Sequence, residues 1–271
     1  MPELRTRMWT SLDAEETAAA IERDPVVVLP LAATEQHGPH LPVTTDIDIG
    51  QGLLDAAFRA LPDDGEAWAL PPVTVGASDE HLNFRGTRSV SSEELTRLIH
   101  ETGARLAEAG VRRLVLSNSH GGNRHAMEVA GIRLRREHAM LVVKASYFRF
   151  ARPDVGLPDA EWRHGLHGGA VETAMMMHLH PDRVTSDAVA EFPSFGAELE
   201  ETLRRVGPEG QASFAWLAED LNPSGVVGDA RLASAEMGAR LVEHYARALG
   251  EVIADAKRFP LERLRTDPAS S

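Results

Sequence analysis

Short apolar runs alternate with amphipathic stretches along most of this chain, and this alternation limits the folds open to it. Residues 26–31 and 114–116 are apolar runs typical of buried strands. A long amphipathic stretch at 91–109 lies between them, and another follows at 122–136. Strands and helices in this order form parallel βαβ units. We therefore predict an α/β fold, a three-layer αβα sandwich with a mostly parallel central sheet.

The clearest single element is the helix at 91–109. Ser91 and Glu94 have the spacing of a capping box, and Gly110 ends the helix. Its buried stripe is predicted to contain Leu95, Leu98, Ile99 and Leu106. The other predicted elements are helices at 11–23, 47–61, 122–136 and 233–259, and strands at 26–31, 67–75, 113–118 and 141–148.

The chain is predicted to form one domain over residues 1–265, followed by a loose tail at 266–271. The less regular region 182–228 contains several Gly and Pro residues. We expect it to cover the functional site or to form a subunit contact.

The composition bears on partners and on compartment. The 271 residues have a net charge of −13, which argues against nucleic acid or an anionic membrane as the main partner. The absence of cysteine excludes disulfides, thiolate nucleophiles and Cys-bound zinc, and it fits a reducing cytoplasm. Residues 1–5 contain no apolar signal core, and no run approaches the roughly 20 apolar residues of a membrane span. We expect a soluble, cytoplasmic protein.

The first candidate site follows the most apolar strand. Glu35 and His37 are two residues apart, so in an extended segment they point to the same side, and Asp46 comes nine residues later. One histidine and two carboxylates suit a Zn, Mn or Fe ion. The alternative is a polar loop in which Asp46 only caps the next helix.

The second candidate is His120, which follows the strand at 113–118 and precedes Gly121 and Gly122. The two glycines allow a tight turn and a close approach to a ligand. Two other interpretations stay open: a surface histidine in a turn, and a phosphate cradle at a helix N-terminus.

The third candidate pairs His167 with Glu172, which lies among apolar residues at the start of a helix. A buried carboxylate is costly unless it is paired or bound to metal, although Glu172 could instead be a capping carboxylate. Ser78 and His81 follow the second strand and are candidates for substrate binding or for support of the ligands.

Together the three candidates supply five metal ligands, enough for two divalent ions with Asp46 as the bridge and open positions for water. The remaining histidines read as ordinary surface or packed residues (His100, His138, His178, His180 and His244), with His40 and His125 undecided. The five predicted ligands are Glu35, His37, Asp46, His120 and Glu172.

These stretches, taken in order, resemble the creatininase (creatinine amidohydrolase) family from about residue 8 to residue 250. The motif T-E-Q-H-G-P-H-L-P at 34–42 is the most specific of them. The other matching pieces are residues 45–46, the Ser78-Glu80-His81 and Phe84-Gly86-Thr87 sets, residues 119–123, the His167-Gly169-Glu172-Thr173 set, and residues 225–229 with 233–236.

The resemblance implies an αβα sandwich, a two-metal centre, a homo-oligomer (often a hexamer) and hydrolysis of a non-peptide C–N bond in a small amide. The family's metal ligands carry over onto Glu35, His37, Asp46 and His120, and its catalytic histidine onto His167.

Three departures from the creatininase pattern matter. The pattern has a glutamate ligand where this chain has Gly122, and we expect Glu172 to take over that role. Arg163 and His164 stand where creatininases carry a Trp-Asp pair that closes over creatinine, with Trp162 one place earlier. Arg85 replaces the family's usual proline before Gly86. Creatinine itself is therefore not the expected substrate.

The predicted function is a metal-dependent amidohydrolase acting on a small cyclic amide or formamide-type substrate. One or two metals lower the pKa of a bound water, so that hydroxide is available at neutral pH. His167 is expected to protonate the leaving nitrogen, and Asp46 to accept the water proton. The expected substrate-binding residues are Ser78, His81, Gly121, Trp162 and His164.

Two alternatives remain open at this stage. The nearer is a member of the same family that trims the terminus of a ribosomally made redox-cofactor precursor. The farther is a phosphate- or nucleotide-binding protein that uses Gly121 and Gly122 without hydrolysis.

Overall fold

A computed structural model describes residues 7–62 and 66–264 of the chain. The tail predicted at 266–271 lies outside these residues, and the domain boundary at 265 stays a prediction. The central sheet has four parallel strands in the order β2-β1-β3-β4. They are β1 (Val26–Leu31), β2 (Ala67–Ala69), β3 (Arg113–Asn118) and β4 (Leu141–Ser146).

Nine α-helices, eight short 3-10 helices and two small strand pairs complete the described part of the chain. The helices are α1 (Ala14–Glu22), α2 (Thr45–Ala60), α3 (Ser92–Glu108), α4 (Arg124–His138), α5 (Asp159–His164), α6 (Ala170–Leu179), α7 (Phe195–Thr202), α8 (Ala218–Leu221) and α9 (Ala235–Arg258). The pairs are β5 (Glu191–Phe192) with β8 (Gly228–Asp229), and β6 (Val206–Gly207) with β7 (Ala212–Ser213). Across residues 7–62 and 66–264, no helix combines the length and the apolar character that a membrane crossing needs.

The predicted three layers are present, with helices on both faces of the sheet. Successive side chains of a strand point to opposite faces. Val26 and Val28 of β1 therefore pack against α2 and α9, in one core cluster with Leu54 and Ile253. Val27 of the same strand belongs to the other cluster, with residues of α3 and α4. All six residues of β1 are buried, which explains its continuous apolar run.

Strand limits agree with the sequence where local signals are strong. β1 and β3 have the predicted bounds. β2 is shorter than predicted and ends at Ala69, because Pro71 and Pro72 cannot continue a ladder; beyond them Val73 forms one isolated bridge to Leu31. Strand β2 lies at the edge of the sheet, as Pro71 and Pro72 predicted. β4 stops at Ser146, because the chain turns into a 3-10 helix at Tyr147–Arg149.

Helix α3 confirms its predicted cap but not its whole apolar stripe. The Ser91 side chain accepts from the backbone N–H of Glu94, and the Glu94 side chain accepts from the backbone N–H of Ser91. Leu95 and Ile99 are fully buried, whereas Leu98 is 42% exposed, so its predicted burial was wrong. Leu98 belongs to none of the core clusters of the described residues.

The carboxyl ends of three strands lie side by side. Leu31, Asn118 and Ser146 are neighbours in register across β1, β3 and β4. The segments that leave these residues therefore start from one edge of the sheet, the usual place for ligands in an open α/β fold. Helix α2 begins at Thr45, just after the segment that leaves β1, and brings Asp46 to this edge.

Candidate metal centre

Five side chains from separate parts of the sequence meet at this edge of the sheet. Nδ1 of His120 lies 3.2 Å from a carboxylate oxygen of Glu35 and 3.2 Å from Oδ2 of Asp46. Nε2 of His37 lies 3.4 Å from Oδ1 of Asp46 and 3.8 Å from Oε2 of Glu172. We call Glu35, His37, Asp46, His120 and Glu172 the buried cluster; the first four are at most 4% exposed.

The buried cluster divides into two groups that could each hold a metal ion. One contains Glu35, Asp46 and His120, and the other contains His37, Asp46 and Glu172. Within each group the potential ligand atoms lie within 4.8 Å of one another. Asp46 belongs to both groups, so the arrangement fits two cations that share one carboxylate.

Hydrogen bonds on the far side of each imidazole aim a lone pair at the carboxylates. Nδ1 of His37 donates to the backbone carbonyl of Glu35 at 3.1 Å. Nε2 of His120 donates to the carbonyl of Ala77 at 2.8 Å. Because these carbonyls can only accept, the neutral rings direct Nε2 of His37 and Nδ1 of His120 inward. Metal-binding histidines are typically oriented in this way.

Several inward-facing atoms have no hydrogen bond. Oε2 of Glu35, Nε2 of His37 and Oδ2 of Asp46 are buried without a hydrogen-bond partner among the described residues. Buried polar atoms normally have a partner, and an unfilled ion site is one explanation for exceptions. Carboxylate oxygens and imidazole lone pairs that face each other are also mutually repulsive. The residues present therefore fit a bound cation.

The pKa values of His37 and His120 also indicate that the carboxylates of the buried cluster favour positive charge beside them. Burial lowers the pKa of His37, but the carboxylates of Asp46, Glu172 and Glu35 outweigh it and raise the pKa to about 9. Burial is likewise outweighed at His120, where Glu35 and Asp46 raise the pKa well above its usual value. In the absence of metal, protons on these rings would supply the missing charge.

Glu172 combines the two interpretations that the sequence left open. Its Oε2 accepts from the backbone N–H of Gly168 at 2.7 Å, as a capping carboxylate would. The same oxygen lies 3.8 Å from Nε2 of His37, and Oε1 accepts from the Tyr147 hydroxyl at 3.4 Å. One carboxylate thus ties the start of α6 to the buried cluster.

His167 lies beside the buried cluster with one nitrogen anchored. Its Nε2 donates to the backbone carbonyl of Gln36 at 2.7 Å, and its Nδ1 lies 3.7 Å from a carboxylate oxygen of Glu35. Its ring centroid is 4.2 Å from that of His37 and 4.3 Å from that of His81. Glu35, His37 and His167 also form a group that could hold a metal, so the geometry allows a ligand role as well as a catalytic one.

A cavity of about 370 Å³ opens onto the buried cluster. Of the predicted substrate-binding residues, His81, Gly121 and Trp162 line this cavity. Region 182–228 contributes Glu209 and Trp216 to the wall, which favours the prediction that it covers the site. The exposed rim includes Phe148, Arg149 and Arg152.

Ser78 and His164 are placed away from the cavity wall. Ser78 is fully buried behind His120, with its hydroxyl 3.2 Å from Nε2 of that ring. His164 pairs with Glu200, with Nε2 2.9 Å from Oε2. Substrate binding by either residue stays a prediction, and the position of Ser78 favours support of His120 instead.

Gly122 stands where no side chain fits. A Cβ added there would lie 2.0 Å from the carbonyl oxygen of Ala77 and 2.6 Å from Nε2 of His120. The turn after β3 can therefore supply His120 but no ligand at position 122.

Gln36 and Tyr147, which sequence reasoning did not place in the site, contact it, and so does His40, which was left undecided. Gln36 bonds to His81 and accepts from His167, and Tyr147 donates to Glu172. Fully buried His40 contacts the carbonyl of Gly168 and the hydroxyl of Thr173, each at 3.0 Å, and so secures the turn after His167. Tyr147 could have been found, because it directly follows β4 much as His120 follows β3.

A second group of histidines and a carboxylate lies near the end of α4. Nε2 of His100 is 2.8 Å from Oε2 of Glu137, and the ring centroids of His100 and His138 are 6.0 Å apart. We call these three residues the surface cluster. One ligand atom from each residue lies within 4.8 Å of the others, so spacing alone would allow a metal here too. The ordinary role predicted for His100 and His138 stays a prediction.

Comparison with known proteins shows similarity to one family of hydrolases. The sequence model described as creatinine amidohydrolase matches residues 10–253. The mycofactocin precursor peptide peptidase of Mycolicibacterium smegmatis is 35% identical over 224 residues, which span 80% of this chain and 79% of that protein. The creatinine amidohydrolase of Pseudomonas putida is 27% identical over 275 residues, 93% of this chain and 95% of that one.

A solved structure agrees with these relatives. A mutant creatininase of the Zn-Zn type superposes with a TM-score of 0.73 at 25% identity, covering 93% of this chain and 98% of that chain. The two proteins therefore share their fold. The zinc of that protein is consistent with the ligand types found here.

Proposed function

This chain belongs to the creatininase (creatinine amidohydrolase) family, and from that premise we propose that it hydrolyses an amide C–N bond near the end of a short peptide, with divalent metal as cofactor. Membership in the family rests on the match over residues 10–253. The peptide substrate rests on the 35% identity to a precursor-peptide peptidase, against 27% to a creatinine amidohydrolase.

The proposal of a metal cofactor depends on one observation: Asp46 belongs to both groups of potential ligands. Glu35, Asp46 and His120 would hold one ion, and His37, Asp46 and Glu172 the other. When bound, such ions polarise a carbonyl oxygen and lower the pKa of a bound water. Carboxylate and imidazole ligands admit Zn, Mn and Fe.

His167 has the geometry of a proton carrier. Because Nε2 donates to the carbonyl of Gln36, the neutral ring has its free lone pair on Nδ1, which faces Glu35. Nδ1 can accept a proton from the attacking water and pass it to the leaving nitrogen. Asp46 directs its two oxygens at His37 and His120, so it would belong to both ligand groups, and we assign proton transfer to His167.

The cavity supports a peptide end more than creatinine. Its volume of about 370 Å³ lies within the usual range for small ligands, and its rim is open to solvent at Phe148, Arg149 and Arg152. Gly122 and His164 replace residues that the creatininase pattern uses, one for metal and one for closing over creatinine. A small cyclic amide remains the second candidate, because the similarity to creatinine amidohydrolase covers 93% of the chain.

A phosphate-binding protein is not supported by this site. Glu35, Asp46 and Glu80 all line the cavity near His120. Their negative charges would repel a phosphate group placed at the Gly121–Asn123 turn.

The test is elemental analysis of the native protein, followed by restoration of Zn, Mn or Fe and a substrate panel read by mass spectrometry. The panel contains short peptides with free or blocked termini, and creatinine. We expect stoichiometric metal and cleavage near one peptide end. Cleavage of creatinine alone would favour the second candidate, and a protein purified without any metal would contradict the proposal.

A matched pair of variants tests the role of His167. His167→Gln should lower the rate by roughly 10²- to 10⁴-fold, the usual contribution of a proton-transfer group. His178→Gln, at an exposed position on α6, should leave the rate unchanged. Equal rates for the two variants would remove His167 from the mechanism.

A further inference from the structure

We propose that Gln36 is a positioning residue that sets His81 and His167 to opposite roles, so that His81 offers an N–H donor to the reaction centre and His167 offers a lone pair. The roles of the two rings in the reaction rest on the proposed function. The positions of their protons are inferred from hydrogen-bond geometry alone.

The orientation of the Gln36 amide is fixed by backbone groups. Its Oε1 accepts from the N–H of Gly38 at 2.9 Å, and its Nε2 donates to the carbonyl of Gly225 at 2.6 Å. An N–H can only donate and a carbonyl can only accept, so the amide cannot be turned over without losing both bonds. Gln36 is 6% exposed, which leaves it little water as an alternative partner.

The second hydrogen on Nε2 of Gln36 determines the state of His81. It points to Nδ1 of His81 at 2.9 Å, so that nitrogen must accept. The ring proton of neutral His81 is therefore on Nε2, which lies 3.7 Å from a carboxylate oxygen of Glu35. His81 thus faces the cluster with a donor.

The main chain of the same residue determines the state of His167. Nε2 of His167 donates to the carbonyl of Gln36 at 2.7 Å, which leaves the lone pair on Nδ1. That Nδ1 lies 3.7 Å from the same Glu35 oxygen that faces His81. The amide of Gln36 has no hydrogen left for the 3.3 Å contact with Nε2 of His167. The two rings carry their protons on the same type of nitrogen but direct opposite nitrogens at Glu35.

The segment from Gly225 to Val227 holds this arrangement in place. Gly225 has φ +75°, and a Cβ there would lie 2.6 Å from Nε2 of Gln36 and 2.6 Å from the Phe84 ring. Two residues later, the N–H of Val227 donates to the carbonyl of His167 at 2.8 Å. A stretch that matched the family without an evident role therefore secures both Gln36 and His167.

Opposite polarity suits the two needs of amide hydrolysis. A lone pair can take the proton of the attacking water, and an N–H can hold the substrate oxygen on which negative charge grows. Gln36→Glu keeps the size of the side chain but removes the N–H. Nδ1 of His81 would then have to carry a proton in order to meet the new carboxylate.

The experiment reads proton positions directly, by ¹H–¹⁵N NMR of histidine-labelled protein loaded with zinc. Protonated and bare ring nitrogens give well separated ¹⁵N signals, and His81→Gln and His167→Gln assign them. We expect the wild-type protein to show both rings protonated at Nε2 and bare at Nδ1. In Gln36→Glu, Nδ1 of His81 should gain a proton, while His167 should not change because its partner is a main-chain carbonyl.

Gln51→Glu on α2 makes the same chemical change away from the cavity and should leave both rings as in the wild type. We expect Gln36→Glu to retain zinc and to lower kcat about 10- to 100-fold with a smaller effect on KM, as for other residues that orient active groups.

Two results would overturn the inference. One is a proton on Nδ1 of His81 in the wild-type protein, which decides the matter even if Gln36→Glu does not fold. The other is an unchanged His81 in a folded, zinc-retaining Gln36→Glu protein. Neither measurement needs turnover, so a failed substrate panel would count against the proposed function and not against Gln36.

Discussion

The buried cluster and the surface cluster contain the same kinds of side chain in opposite surroundings. In the surface cluster both oxygens of Glu137 are occupied, one by His100 at 2.8 Å and one by Arg136 at 2.8 Å. In the buried cluster, Glu35 and Asp46 each have an oxygen without a hydrogen bond among the described residues. His100 and Glu137 side chains are 24% and 37% exposed, whereas those of His37 and Asp46 are at most 3% exposed.

The difference shows why residue types alone do not identify a metal site. Arg136 and His100 together lower the pKa of Glu137, so its charge is balanced without a metal. Water can solvate whatever charge remains at that surface. In the buried cluster, no arginine or lysine pairs with Glu35 or Asp46 in the described structure, and positive charge has to come from protons on His37 and His120 or from a bound cation. Burial and unmet hydrogen bonds therefore carry more information than composition.

The largest expected effect is the loss of the shared carboxylate. Asp46→Asn weakens both ligand groups, so we expect the rate to fall by roughly 10³-fold and the metal content to drop, since weakening one supporting contact alone costs 10- to 100-fold. The matched Glu137→Gln change should affect neither quantity. Elemental analysis and steady-state rates provide the measurement. If Asp46→Asn kept its metal and its rate, the comparison would fail.

Thermal stability should depend on metal only through the buried cluster. Zinc at a thousand times its Kd stabilises the folded state by about 4 kcal/mol, which raises the Tm on the order of 10 °C for a chain of this size. Differential scanning calorimetry should show this rise in the wild type and in Glu137→Gln. Asp46→Asn should lose most of it. An equal rise in all three proteins would indicate zinc binding elsewhere.

As the pH falls, the free energy of unfolding should decrease because of buried His40 and not because of exposed histidines. Burial lowers the pKa of His40 to about 4, against an ordinary value of 6.5. The unfolded chain therefore binds the extra proton first, and stability present above pH 6.5 is lost as the pH falls toward 4, by at most about 3 kcal/mol. Urea unfolding of His40→Gln, which cannot titrate, should give a flatter profile than wild type across this range.

Exposed His178 provides the control for that experiment. His178→Gln should keep the wild-type slope. A wild-type slope in His40→Gln would show that His40 is not the group responsible.

The smallest expected effect is at the edge of the buried cluster. Tyr147→Phe removes the 3.4 Å hydrogen bond to Oε1 of Glu172 and should weaken metal affinity about tenfold. Tyr245→Phe is the matched control, because the Tyr245 ring lies 5.3 Å from that of Tyr147 and the hydrogen bond to Glu172 comes from Tyr147. Titration of the metal-free proteins with zinc measures both. Equal affinities would limit Tyr147 to packing.

Features with local signals could be predicted from the sequence. The apolar run of β1 predicted where that strand begins and ends, and the capping box predicted where α3 begins. The parallel strands predicted that Glu35 and His120 would meet at one edge of the sheet. Leu98 could not be placed correctly, because its exposure depends on packing between elements, which helical spacing does not show.

Contacts between distant segments account for the rest. The hydrogen bond from Gln36 to Gly225 joins residues 189 positions apart, and neither hydrophobic periodicity nor a capping pattern predicts such a contact. Ser78 looked like a cavity residue because it follows β2 with His81, yet the chain turns it behind His120. Local patterns predict which loops approach the site, and packing decides which side chain faces inward.

The closed space at Gly122 has a consequence for the history of this site. In the creatininase pattern the equivalent position supplies a glutamate ligand, whereas here a Cβ would already lie 2.0 Å from the Ala77 carbonyl oxygen. Ala77 also accepts the hydrogen bond that orients His120. If Glu172 is the ligand here, a carboxylate at position 122 would first require the Ala77 carbonyl to shift. One substitution would therefore not exchange one ligand set for the other. We expect the two arrangements to be inherited as units along separate lineages.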